Sequence, residues 1–458
     1  MRCGALLFFL LLNPCFCFKR EVSFPSTRIP SVMKPIRINN YCFDRIHAWI
    51  QYDWQIPQFM EVVIEVFYPE NRKAEGLVMF NHGFLIGNDL LFYPKKIIGA
   101  FTDDNPLFGI NPSAYYNYSS AIVEKNWAMA FVTTSHMQFE GVPWIDIGGN
   151  PRVGQEAYAA ASYLIKYGAT DFFFRQEEKN RGLEIFDPNA AEKNRFMKPG
   201  CNNVIFAGHS VGGAHAQAAA CGFETLQELG RKSYRLFDPV IFDREFLPEY
   251  TERMSKWQPH ERANPVGLLQ LSPVDQKILP PLIPGMQPYR EALAAKKLPI
   301  LMIVGQYDCA CLNSKNSNPP AWSATPGDTN TQFAQLAPEG SNSWAVVANV
   351  ARGSHSGYLT ENSELCALAD SAKNCPAGVG KDTYKSCGEE SLFVNALLKE
   401  FINIYPSEGG FQGEFCDWIK SDCIQWLNRE NPIGSLNLLP MNGGGYIDYA
   451  GKSTRCKP

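Results

Sequence analysis

Long hydrophobic runs are almost missing from this 458-residue chain. The apolar stretch at residues 5–12 falls well short of the ~20 residues a helix needs to cross a bilayer, and nothing further along comes closer. No stable membrane span is therefore expected. An excess of positive charge is also lacking: 42 Lys and Arg stand against 46 Asp and Glu, for a formal net charge of -4. A sequence-independent grip on nucleic acid needs the opposite balance, so no nucleic acid partner is expected. Internal repeats and low-complexity tracts are absent, and with 45% hydrophobic residues the composition excludes a disordered or coiled-coil chain. No cysteine spacing matches a zinc pattern. Gly378-Val379-Gly380-Lys381 lacks the first glycine of a phosphate-binding loop and is followed by Asp382 where a hydroxyl is needed. Neither a metal nor an organic cofactor is expected.

What the chain does have is turn-forming and sulfur-bearing residues: 36 Gly, 32 Pro and 14 Cys. The short apolar run behind Arg2 reads as a signal peptide over residues 1–17, cleaved near Cys17 and Phe18. Residues 18–40 form a basic leader or linker, whose composition also suits delivery to a plastid by a two-part presequence. Secretion is the expected destination and the plastid its alternative. Six of the cysteines that remain lie beyond residue 360, which predicts a disulfide-stapled C-terminal extension over 406–458 in an oxidising compartment. Cys309 and Cys311 are read as structural. Asn117-Tyr118-Ser119 is a glycosylation sequon compatible with secretion.

Between these ends, over 41–405, apolar runs alternate with amphipathic segments. Strands are predicted at 59–68, 76–80, 127–132, 204–207, 266–271, 299–304 and 344–351. Helices are predicted at 153–167, 214–220 and 392–404. The alternation predicts an α/β fold, a mostly parallel central sheet with helices on both faces. Two charged, aromatic-bearing stretches, near 171–200 and 222–264, read as insertions: the first loop-like, the second capping one end of the sheet.

Gly208-His209-Ser210-Val211-Gly212 fits the pattern G-x-S-x-G. A serine on a sharp strand-to-helix turn needs glycine on both sides, because side chains there would strike the adjoining strand and helix. A buried strand precedes the pattern and an alanine-rich run follows it, which is the required setting. A serine hydroxyl is a weak nucleophile until a base removes its proton and a carboxylate orients that base. Histidine is scarce, seven in all, and only His215, His260 and His355 follow Ser210. His215 belongs to the next helix and His260 to a surface insertion. His355 lies in a Gly-Ser-His-Ser-Gly loop after the last strand and is the expected base. Asp308, just past the strand ending at Gly305, is the expected acid, with Asp275 its rival. The oxyanion hole is expected from the backbone N–H of Val211 and of Phe84, the latter after His82-Gly83, with His82 propping that loop. Phe84, His136, Phe139 and Trp144 are candidate walls of an apolar pocket.

Over roughly residues 55–405 the chain resembles the α/β-hydrolase superfamily, and within it the chlorophyllase group and the cutinase and polyester-hydrolase group. Ser272-Pro273-Val274-Asp275 is similar to the Asp-Pro-Val stretch of chlorophyllases, but Ser272 stands where their triad acid would be. Asp308 resembles the acid placement of cutinase-like enzymes. The resemblance and the residues together imply a serine carboxylic-ester hydrolase acting on a hydrophobic ester through an acyl-enzyme. The alternatives are a chlorophyllase proper, a peptidase or acyltransferase on the same fold, and an inactive hydrolase-fold binding protein.

Overall fold

A computed structural model of the protein describes residues 36–38, 41–52, 58–83, 115–134, 153–168, 172–177, 181–186, 196–234, 254, 257–274, 286–296, 298–305, 308, 319–322, 328, 330–336, 338, 344–350, 354–355, 357–359, 402 and 436–438. The strands in chain order are β1 (Ile36–Ile38), β2 (Tyr41–Tyr52), β3 (Gln58–Pro69), β4 (Leu77–Asn81), β5 (Ala128–Thr134), β6 (Phe172–Glu177), β7 (Arg181–Phe186), β8 (Asn203–His209), β9 (Asn264–Leu271), β10 (Pro299–Gly305), β11 (Trp344–Val350) and β12 (Leu436–Leu438). The helices are α1 (Asn117–Val123), α2 (Gln155–Tyr167), α3 (Val211–Ala220), α4 (Phe223–Tyr234), α5 (Gln287–Ala294) and α6 (Gln332–Leu336).

Ten strands form one sheet in the order β1-β2-β3-β5-β4-β8-β9-β10-β11-β12. Pairing is parallel from β5 through β4, β8, β9 and β10 to β11. The strands outside that block pair antiparallel. From β4 the chain steps one way, through α1 to β5. From β5 it steps back past β4, through α2 to β8. Because parallel crossovers are right-handed, steps in opposite directions place α1 and α2 on opposite faces of the sheet. All later crossovers run in the second direction, so α3, α5 and α6 share the face of α2.

Both faces are accordingly apolar. On β4, Leu77 and Met79 join the core beneath α2 and α3, while Val78 and Phe80 point the other way and are equally buried. Period-two alternation explains why these strands read as unbroken hydrophobic runs. The α1 face is filled by rings: Phe67 meets Tyr116 at 4.8 Å and Phe131 at 6.0 Å between centroids. On the opposite face alanines dominate. Ala157, Ala160 and Ala161 of α2 and Ala218 and Ala219 of α3 are buried, so the two helix backbones approach closely.

The expected elements at 59–68, 76–80, 127–132, 153–167, 204–207, 214–220, 266–271, 299–304 and 344–351 are present with ends shifted by a few residues. Four features differ from expectation. Residues 41–52 form a long strand paired along all of β3, and β1 extends the sheet into the end of the leader. The stretch near 171–200 is not merely loop: β6 and β7 make a separate antiparallel hairpin. Within the C-terminal extension, β12 adds an edge strand beside β11. The sequon lies in α1 with Tyr118 and Ser119 buried, a poor setting for a surface glycan. The helix expected at 392–404 lies outside the described residues except for the buried Ile402. Among the described residues no helix is long and apolar enough to cross a membrane.

Candidate active site

The strand order reverses between β4 and β8, and the carboxyl ends of the strands at such a point are the usual ligand position of an open α/β sheet. Asn81 Nδ2 donates to the Ala207 carbonyl at 3.1 Å and holds the two strand ends together. Ser210 follows β8 directly, and α3 begins at the next residue. The serine backbone sits at φ 57° and ψ -123°, a strained setting for a residue with a side chain. Two bonds from the β9 loop hold it there: Ser210 N–H donates to Leu271 O at 3.0 Å, and Val274 N–H donates to Ser210 O at 3.1 Å. The flanking glycines are required by contact. A Cβ on Gly208 would stand 2.0 Å from Gly212 O, and one on Gly212 2.2 Å from Asn81 O.

The structure brings Ser210, His355 and Asp308 together from three strand ends. His355 Nε2 lies 3.0 Å from Ser210 Oγ. His355 Nδ1 lies 3.0 and 3.1 Å from the two oxygens of Asp308. A carboxylate only accepts, so Nδ1 carries the ring proton and Nε2 is left to accept from the serine hydroxyl. All three side chains are buried, Asp308 fully. Burial excludes water from the carboxylate–imidazole pair and strengthens its attraction.

Val211 opens α3, and the first amides of a helix have no partner within it. Val211, the expected oxyanion donor, directly follows Ser210 and is the first residue of that helix. Phe84, the other expected donor, lies outside the described residues, as do His136, Phe139, Trp144, Asp275, Cys309 and Cys311. The turn before Phe84 is described: His82 Nδ1–H donates to Gly83 O at 2.9 Å within that turn. Burial chiefly, with His215 nearby, pushes the His82 imidazole down to about 4, so it stays neutral. His215 is buried on α3 and accepts Gly154 N–H at 3.4 Å, while His260 is exposed. Neither comes to the serine.

Ser272, at the position of the chlorophyllase acid, is fully buried with φ 41°. Its hydroxyl donates to Tyr358 Oη at 3.1 Å, and Tyr358 accepts the Tyr118 hydroxyl at its own carbonyl. This serine is part of the wall beneath the base loop. Two residues that sequence reasoning left without a role also converge here: Tyr115 Oη lies 2.8 Å from His209 Nδ1, and His209 Nε2 lies 2.8 Å from His355 O. They are 94 and 146 positions apart from their partners, so no local spacing announces them. Among the described residues no group of three His, Cys, Asp or Glu side chains is gathered as for a metal ion.

No protein-family model and no curated protein matches the chain. Solved structures similar to it include an S-formylglutathione hydrolase from Agrobacterium tumefaciens, with 12% identity, 74% of this chain and 96% of that one covered, and a TM-score of 0.35. Est1E from Butyrivibrio proteoclasticus matches with 12% identity, 78% and 97% covered, and a TM-score of 0.31. An acylaminoacyl peptidase from Pyrococcus horikoshii matches with 10% identity, 81% and 43% covered, and a TM-score of 0.36. The chain's own geometry gives the fold. Its sheet order, the sharp turn that presents Ser210 between β8 and α3, and the placement of Asp308 after β10 and His355 after β11 are those of the α/β-hydrolase fold.

Proposed function

We propose that the protein is a serine carboxylic-ester hydrolase acting on hydrophobic esters through an acyl-enzyme. The observation that carries this reading is the 3.0 Å approach of His355 Nε2 to Ser210 Oγ while Nδ1 faces Asp308. In the first half-reaction Ser210 Oγ attacks the ester carbonyl carbon, and its proton passes to His355 Nε2. The carbonyl oxygen becomes an oxyanion facing Val211 N–H, with Phe84 N–H the proposed second donor. Collapse breaks the bond to the alcohol oxygen, which takes the proton from His355, leaving Ser210 acylated. In the second half, water gives a proton to His355 and attacks the acyl carbon. The serine oxygen leaves with that proton, and the free acid departs. Asp308 stays ionised throughout and stabilises the imidazolium.

The position of Ser272 weighs against a chlorophyllase proper, since a serine bonded to Tyr358 cannot orient an imidazole as a carboxylate does. The test is labelling of the purified chain by a fluorophosphonate, followed by a screen of esters of graded chain length with chlorophyll included. Covalent labelling at Ser210 together with ester turnover is the expected result. A folded chain that neither labels nor turns over any ester refutes the reading, and transfer to an added amine or alcohol in preference to water replaces it with an acyltransferase.

A further inference from the structure

His209 takes no part in the reaction just described, yet it is fully buried beside the nucleophile. Its Nε2 faces the carbonyl oxygen of His355, which can only accept, so Nε2 carries the ring proton. Its Nδ1 then has a lone pair and accepts the Tyr115 hydroxyl. Tyr115 Oη in turn accepts Gly83 N–H at 3.1 Å. Burial above all, reinforced by the neighbouring His355, pushes the His209 imidazole down to about 3, and burial raises the Tyr115 phenol, so neither gains or loses a proton in the working range. Both nitrogens of His209 are thereby committed, and it cannot serve as a second base for Ser210.

The rings are packed as closely as the polar atoms. His209 lies 4.9 Å from His355, 5.4 Å from Tyr358 and 5.7 Å from Tyr115 between ring centroids. Tyr115 precedes α1, Gly83 ends the turn after β4, His209 ends β8, and His355 lies beyond β11. Four separate chain segments thus meet in one line of hydrogen bonds.

We propose, resting on the ester-hydrolase reading, that Tyr115 and His209 are positioning residues that tie the oxyanion turn to the loop of the base through the relay Gly83 N–H, Tyr115 O–H, His209, His355 C=O. The oxyanion donors and the imidazole act on the same carbonyl group, one on its oxygen and the other through the nucleophile. Their separation therefore has to be fixed before the substrate arrives, and this relay is a direct physical connection between them among the described residues. The relay has a single polarity: Gly83 N–H only donates, Tyr115 and His209 each accept one hydrogen bond and donate one, and His355 C=O only accepts, so a replacement that keeps shape but loses a donor breaks it.

The experiment uses the full chain with three variants. Tyr115→Phe keeps the ring and removes the hydroxyl. His209→Asn keeps a polar group near Nδ1 but does not reach the His355 carbonyl. His209→Gln returns an N–H near the place of Nε2. Turnover of p-nitrophenyl esters, the rate of fluorophosphonate labelling, thermal melting and the low-field proton resonance of His355 Nδ1–H are measured on each. Tyr115→Phe and His209→Asn should lower kcat by about 10- to 100-fold with KM nearly unchanged, the size of loss that small misplacements cause. They should also shift or broaden the low-field resonance, and His209→Gln should recover most of both. Rates for Tyr115→Phe and His209→Asn within about twofold of the parent overturn the proposal. So do losses that melting explains and His209→Gln does not restore. If the parent chain neither labels nor turns over ester, it is the ester-hydrolase reading that fails. The resonance then still decides the relay: unchanged in His209→Asn, it overturns the positioning role, and altered there but restored in His209→Gln, it upholds it.

Discussion

At the scale of single residues, Ser210, His355 and Asp308 lie in one line of contacts, and in the proposed reaction removing one member leaves the others with little to do. Ser210→Ala should keep the fold and lose ester turnover by orders of magnitude, read as kcat/KM on a purified, folded protein. Retention of more than about a tenth of the rate would remove Ser210 from the reaction. Asp308→Asn is expected to be nearly as damaging, because an amide facing Nδ1 favours the wrong imidazole tautomer, whereas Asp275→Asn should change turnover little. The reverse ranking would move the acid to the β9 loop. These residues were legible because chemistry fixes their order and types: a serine between two glycines, then an aspartate after one strand and a histidine after the next. Tyr115 and His209 were not legible in that way. Their role depends on where the turn after β4 and the loop after β11 come to rest, and the sequence carries no spacing that encodes it.

Among the elements, the strands buried on both faces were readable because burial on both faces produces a continuous apolar run. β4, β8, β9 and β10 all belong to this class. β2 carries Asp44, Arg45 and His47 among its apolar residues, and β6 and β7 carry several charges, so none has a run that stands out. β12 has only three residues, too short for a pattern to show. Each of these is held by antiparallel backbone pairing, whose hydrogen bonds are indifferent to side-chain type. The contact between α2 and α3 has the opposite character, being set by what is missing. Gly154 stands at φ 77°, and a Cβ there would be 2.4 Å from Ala219 N and 2.5 Å from Ala218 Cβ. Gly154→Ala should therefore destabilise the fold by a left-handed backbone cost of about 1–2 kcal/mol and an overpacking cost of about 1–3 kcal/mol. Gly200, at φ 81° with no atom within 4 Å, makes the control: Gly200→Ala carries only the backbone cost. Urea midpoints of the two variants would separate the two contributions, and equal shifts would contradict the close-packed reading of α2 on α3.

For the whole molecule, buried neutral histidines make stability depend on pH. His82 and His209 titrate near 4 and 3 when folded and near 6.5 when unfolded. Between about pH 3 and 6.5 the unfolded chain therefore binds more protons, and stability rises with pH in that window. Their contribution is complete above about 6.5 and is lost as the pH falls through 4 and then 3, on the order of a few kcal/mol for each ring. Melting temperature against pH should show this fall, and His209→Gln should flatten its lower part; an unchanged slope in that variant would contradict a neutral buried ring. The cysteines of the C-terminal extension lie outside the described residues, while Cys201 and Cys221 carry free thiols. Burial pushes the Cys221 thiol up to about 12, so alkylation of the folded protein should spare it. If the extension is disulfide-stapled, reduction should lower the melting temperature by an amount matching about 2–4 kcal/mol for each bridge, with turnover of the folded protein unaffected.

The bonds that hold Ser210 have a consequence for how the molecule opens. Its amide hydrogen points at Leu271 O and its carbonyl receives Val274 N–H, so the peptides on either side of Ser210 are stitched to the end of β9 and to the residues just after it. Solvent deuterium can reach that amide only when β8 and β9 part, and these strands lie in the middle of the parallel block with buried residues on both faces. Partial openings at the sheet edges, such as β1 or β12 detaching, leave it untouched. Ser210 should then exchange its amide hydrogen on the timescale of global unfolding, placing the proposed nucleophile in the slowest-breathing part of the sheet.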